Sequence, residues 1–136
     1  MPEVPTAAQL QELMPFAVAL GIELEQPSPE RAAGSLAWAP ERCTAGGIMH
    51  GGAILSLADT LGAVCAFMNL PPGAATTTIE TKTNFFRAVR AGSVTGVARP
   101  LHVGRTIIVV QTELSDDDGR AVAQTTQTQA VLAAPG

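Results

Sequence analysis

From Ala53 to Met68 the chain is largely apolar, and only one residue, Asp59, carries a full charge at neutral pH. The run is introduced by His50-Gly51-Gly52 and stopped by Pro71-Pro72-Gly73, so it reads as one long helix over about 50–68. A helix apolar nearly all round needs cover on every side, and the rest of the chain has to wrap it. An ionised carboxylate is expensive to hold in apolar surroundings. The fold must solvate Asp59, pair it, or exploit it for chemistry.

The segments around that helix supply the wrapping. Thr6 with Gln9 three residues on forms a capping signature, and Leu10, Leu13, Met14, Phe16, Ala17 and Leu20 fit one apolar stripe, which predicts a helix over about 6–20 ended by Gly21. Ile22–Glu25 and Ala33–Trp38 alternate like strands, with an irregular stretch from Glu41 to Met49 after them. Beyond the long helix, Thr76–Phe86, Ser93–Leu101, Thr106–Leu114 and Ala121–Val131 read as Thr- and Val-rich strands in an antiparallel meander. Asp116-Asp117-Asp118-Gly119 marks a hairpin between the last two. The layout is α+β, one domain over 1–136 with five or six strands curled around a central helix. Such a sheet leaves an edge or face that needs a partner, which predicts a dimer.

Composition narrows the function. The net charge is −4 and the eight Lys and Arg are scattered, so there is no basic footprint for nucleic acid. Cys43 and Cys65 are too few for a disulfide framework, no Cys/His spacing suits zinc, and the expectation is no metal and two reduced thiols. Met1–Pro5 lacks the pattern of a signal peptide, and Asp59, Asn69, Ser56 and the glycines argue against a membrane span at 53–70. A cytoplasmic protein away from membranes is expected.

His50 and Asp59 invite reading as a dyad, but the helix separates them. Nine residues at about 1.5 Å rise place them roughly 13 Å apart, and about 100° per residue puts them on opposite faces. If both serve one reaction, the second group comes from another subunit and the site lies across a dimer interface. His50-Gly51-Gly52 stands where the first helix amides lack internal partners and the macrodipole is positive. That arrangement can polarise a carbonyl or hold an oxyanion, and it also serves simply as a tight turn. Ser56, Thr60 and the run Thr76-Thr77-Thr78 are candidates to hydrogen-bond Asp59.

Taken together, His50-Gly51-Gly52, Leu57-Ala58-Asp59, Asn84-Phe85-Phe86-Arg87 and Gly104-Arg105 before a strand resemble the hot-dog-fold thioesterases. The resemblance covers about residues 20–132 and is nearest the phenylacetate-degradation type, which is similar to the 4-hydroxybenzoyl-CoA thioesterases. It implies an acyl-CoA thioesterase with Asp59 as nucleophile or general base and the Gly51 amide polarising the thioester carbonyl. His50 then orients the thioester or its loop, and Thr78, with Thr77 and Gly52 beside the substrate, lies near the acid of the other subunit. Arg87, Arg90 and Arg105, with Gly104, are the candidates to hold the CoA phosphates. Coenzyme A enters as part of the substrate, and no separate cofactor is expected. The implied assembly is a homodimer with the acid and the amide on different subunits, joined as a dimer of dimers into a homotetramer.

Thr44 departs from the family pattern, because six residues before the histidine relatives often carry Asn or Gln to position water or the carboxylate. A hydroxyl is shorter and has one donor. That departure is the feature favouring a non-catalytic acyl-CoA binder as the alternative. A hot-dog hydratase or dehydratase pairs its His with an acid in a different local motif, which Gly51-Gly52 does not match. The acyl group is left open between aryl-acetyl and medium-chain.

Overall fold

The computed structural model describes residues 3–135. Thr6 caps helix α1 (Ala7–Glu12): its hydroxyl accepts from Gln9 N–H at 3.1 Å, and Gln9 Oε1 accepts from Thr6 N–H at 2.8 Å. The helix does not continue to Leu20 as expected. Pro15 has no N–H to donate and its ring blocks a continuous turn, so α2 (Pro15–Leu20) starts afresh there. The expected stripe breaks with it. Leu10 and Ala17 are buried, whereas Leu13 and Phe16 are 72% and 68% exposed.

The strands are β1 (Glu23–Leu24), β2 (Ala32–Ala37), β3 (Ala75–Phe85), β4 (Ser93–Val103), β5 (Ile107–Ser115) and β6 (Ala121–Leu132). They form one six-stranded antiparallel sheet in the order β1-β2-β4-β5-β6-β3. The last four strands are therefore not a simple meander. The segment after β3 crosses the start of the long helix, with Val89 buried and its carbonyl accepting from Met49 N–H at 2.8 Å. That crossing sends β4 to pair with β2 and leaves β3 at the far edge beside β6. One edge is the two-residue β1; the other is the eleven-residue β3, exposed along most of its length.

The long helix, α3 (Gly51–Phe67), lies across the concave face with His50 as its N-cap. Ile54, Leu57, Leu61 and Val64 pack onto a core that includes Leu36, Val94, Ile108, Val110 and Leu114. Full burial of each such side chain stabilises by about 1.5–3 kcal/mol. Close packing depends on Gly96, paired across the strands with Gly34, since a Cβ there would sit 2.6 Å from Leu61 Cδ1. The cover expected all round the helix is missing along one stripe. Gly52, Asp59 and Phe67 are exposed, with Ser56, Thr60 and Ala63 half-buried between them.

Candidate active site in two halves

The first half forms at the start of α3. The segment before it folds back on itself: Thr44 N–H donates to Ile48 O and His50 N–H to Arg42 O, both at 2.8 Å. Arg42 anchors the segment by donating from Nε to Leu20 O at 2.6 Å and from Nη1 to Ala37 O at 3.0 Å. Met49, 2% exposed, plugs the core and fixes where the helix begins.

His50 caps the helix through its ring, with Nδ1 accepting from Gly52 N–H at 2.8 Å. An Nδ1 that accepts leaves the ring proton on Nε2. The amides of Ala53 and Ile54 both bond to His50 O, at 2.9 and 3.3 Å. Gly51 N–H is thus the one amide of this first turn that meets no acceptor among the described residues. Gly51 lines an open cavity of about 330 Å³ together with Thr44, Ile54, Phe85, Phe86 and Arg87. A free amide at a positive helix end, facing a cavity, can stabilise a developing oxyanion.

The second half centres on Asp59, on the open stripe of α3. Gln127 of β6, 1% exposed, donates from Nε2 to Asp59 Oδ1 at 2.7 Å and toward Thr78 Oγ1 at 3.3 Å. Gln129, on the same face two residues on, donates to Thr78 Oγ1 at 2.7 Å and through Oε1 accepts from Thr76 Oγ1 at 3.0 Å. Thr78 Oγ1 therefore accepts from two amides and keeps its one proton to donate. Ser56 and Thr60 do not reach the carboxylate, because their hydroxyls donate to Gly52 O and Ser56 O at 2.7 Å. Gln127 Oε1 is buried with no partner. Leaving such an acceptor unpaired costs about 1–3 kcal/mol. A Cβ built at Gly62 would overlap the Gln127 amide, so glycine at 62 is what lets the amide lie beside the helix.

Along the open stripe, one turn past Asp59, a second cavity of about 170 Å³ is lined by Leu10, Leu13, Met14, Ala63, Val64, Phe67 and Thr76. Its one polar side chain, Thr76, is engaged by Gln129 Oε1 and by Ala130 O at 2.9 Å.

Thus the chain brings His50, Gly51, Gly52, Thr44 and Arg87 together at one place, and Asp59 with Thr78 at another, so Thr78 lies by the acid of its own chain where the acid of the other subunit was expected. Thr77 pairs with Ala130 and, by strand alternation, projects from the opposite face of the sheet to Thr78. Arg90 is exposed in the segment after β3. Gly104 and the exposed Arg105 lie in the β4–β5 turn, at the Thr77 end of the sheet. At about 3.3 Å per residue that is roughly 26 Å from the Phe85 end near Arg87. The glycine at 104 is required by the turn itself, as a Cβ there would meet Ile107 O at 2.8 Å. Among the described residues no group of three or more His, Cys, Asp or Glu could hold a metal, and no helix is long and apolar enough to cross a membrane.

Gln127, Gln129, Gly62 and Arg42 were not marked by the sequence reading. The spacing Thr125-x-Gln127-x-Gln129 does place three polar side chains on one strand face, and this alternation is the only signal the sequence offers.

Known proteins share both the sequence and the fold. The profile of the Thioesterase superfamily matches residues 46–123, from the helix start into β6. The 1,4-dihydroxy-2-naphthoyl-CoA hydrolase of Escherichia coli is 35% identical over 86 residues, 63% of each chain. The proofreading thioesterase EntH of Cronobacter sakazakii is 34% identical over 86 residues, again 63% of each. These alignments span less than two thirds of either relative's length. The crystal structure of a mutant thioesterase from Pseudomonas aeruginosa superposes with a TM-score of 0.89 at 31% identity, covering 96% of both chains. The PaaI protein of the E. coli phenylacetic acid degradation operon shares the fold, with a TM-score of 0.85 at 24% identity over 95% of this chain and 92% of that one. A profile spanning more than half the sequence, and a solved thioesterase matching along nearly all of it, make this chain a member of the Thioesterase superfamily with the hot-dog fold.

Proposed function

We propose that the protein hydrolyses an acyl-CoA thioester to the free acid and CoA, in a homodimer that completes each site across its interface. The observation that carries this reading is the split itself: a free Gly51 amide at the start of the helix and an amide-held Asp59 eight residues along it, roughly 12 Å away at about 1.5 Å rise per residue. Neither half performs the reaction alone. The long exposed edge of β3 is the natural place for a second copy to pair, since the opposite edge is only two residues.

In the completed site the thioester oxygen accepts from Gly51 N–H, with His50 fixing the turn that presents it. Asp59 either attacks the carbonyl carbon or takes a proton from a water that does. In the first case the C–S bond breaks, the CoA thiolate takes a proton from solvent, and water then hydrolyses the acyl-aspartate anhydride. In the second, water oxygen becomes the new acid oxygen and its proton passes by way of Asp59 to the departing sulfur. Arg87 at the cavity mouth suits a CoA phosphate. The apolar second cavity suits an acyl tail without ring hydroxyls, either aryl-acetyl or medium-chain, because its only hydroxyl is already engaged.

The test is release of free thiol from a panel of aryl and aliphatic acyl-CoAs. Asp59→Asn is expected to lower kcat by about 10²–10⁴-fold. Refolding an equal mixture of Asp59→Asn and His50→Ala chains should restore about a quarter of wild-type turnover, because half the dimers are mixed and each has one intact site. Full activity in Asp59→Asn argues for chemistry elsewhere, and acyl-CoA binding without turnover by the wild type argues for the binder.

A further inference from the structure

We propose that Gln127 is a positioning residue for the Asp59 carboxylate, seated in the space that Gly62 leaves beside α3. The assignment rests on the thioesterase reading for its kinetic consequence and on the geometry for its existence. The Gln127 amide is buried in the sheet, and its Nε2 reaches Asp59 Oδ1 at 2.7 Å. A carboxylate only accepts, so the amide must present nitrogen to Asp59 and turn its oxygen away. That oxygen, Oε1, finds no partner. A glutamine kept in the core with one acceptor unpaired is not there for packing, since an apolar side chain of its length would fill the space without the penalty.

The consequence is asymmetry between the two carboxylate oxygens. Oδ1 is held by the sheet, and Oδ2, which receives no hydrogen bond from the described residues, is the one left for the substrate or water. The second Nε2 hydrogen points to Thr78 Oγ1, which also accepts from Gln129. Gln127 thus ties the acid on α3 to the hydroxyl on β3. Gly62, one turn along from Asp59, belongs to the same device, because any Cβ there would displace the amide.

Three variants and one spectroscopic measurement test this. Gln127→Met keeps the length and removes the donor. It should lower kcat about 10–100-fold, with KM within about twofold and an unchanged melting temperature. Gly62→Ala should lower kcat in the same direction, yet have no added effect in a Gln127→Ala background, because its role is only to admit the amide. A folded Gln127→Met with wild-type kcat overturns the proposal, as does full additivity of Gly62→Ala and Gln127→Ala. Independently of turnover, the Gln127 side-chain NH₂ resonances in a ¹⁵N spectrum should move on Asp59→Ala, and resonances that stay in place overturn it too. If the wild type hydrolyses no thioester, the proposed function fails while this spectrum still decides the contact.

Discussion

The two halves of the site are built in opposite ways. The half at the helix start comes from nearly consecutive residues, Met49 to Ile54, and its working group is a backbone amide. The carboxylate half comes from Asp59, Gly62, Thr78, Gln127 and Gln129, with 68 positions between Asp59 and the amide that holds it. The first is fixed as soon as α3 starts in the right place. The second exists only when α3, β3 and β6 are all docked in register. A one-residue slip of β6 would turn Gln127 and Gln129 to the outer face and leave Asp59 unheld. The oxyanion side is therefore insensitive to most side-chain changes, and the acid side is sensitive to several.

Breaking the first half requires removing a backbone N–H, and the structure allows it. Proline is tolerated at the first position of a helix, and His50 has φ −61° and ψ 134°, a conformation compatible with a following proline. Gly51→Pro should keep the fold and lower kcat by about 10²–10³-fold, as expected for loss of one oxyanion donor. Near-normal turnover in a folded Gly51→Pro would mean that the carbonyl is polarised elsewhere. Thr78→Val probes the other half more gently. It preserves the branched strand-forming shape but strands the amides of Gln127 and Gln129 without their shared acceptor. Chemical denaturation should show a loss of about 1–3 kcal/mol, accompanied by a several-fold fall in kcat. A loss of activity with no loss of stability would show that Thr78 acts on the substrate alone.

The same contrast explains what the sequence revealed. His50-Gly51-Gly52 was legible because local spacing and helix-end physics act on adjacent residues, and the N-cap formed as that pattern requires. Asp59 was legible as the one charge in an apolar run. Its partner was not, because Ser56, Thr60 and the threonine run were equally good candidates until strand order was known. β3 pairs with β6 instead of β4, and only that crossover brings Gln127 within reach. Strand boundaries followed closely from Thr and Val content, whereas the break at Pro15 was missed because apolar spacing on both sides of it fits one helix. Gly104 and Arg105 were grouped with Arg87 by motif, and the sheet sets them at opposite ends. Distances across a sheet are not written in spacing along the chain.

The smallest expected effect comes from the second ionisable group on α3, which faces inward where Asp59 faces out. Cys65 lies six residues past Asp59, and at about 100° per residue this turns it well away from the open stripe. Burial pushes its thiol up from 9.0 to about 11, because the thiolate is disfavoured in the core. In the unfolded chain the proton leaves at the lower value. Between those two pH values the folded state therefore binds more protons, and stability must fall as pH rises. Below pH 9 the contribution is fully present. The chain has no tyrosine to add to this window, and comparison with a Cys65 variant isolates the thiol's part. Melting temperatures followed from pH 8 to 11 should decline, and Cys65→Ala, though less stable at neutral pH, should decline less steeply. An identical slope in both proteins would mean that α3 does not bury this face as tightly as its packing against the sheet requires.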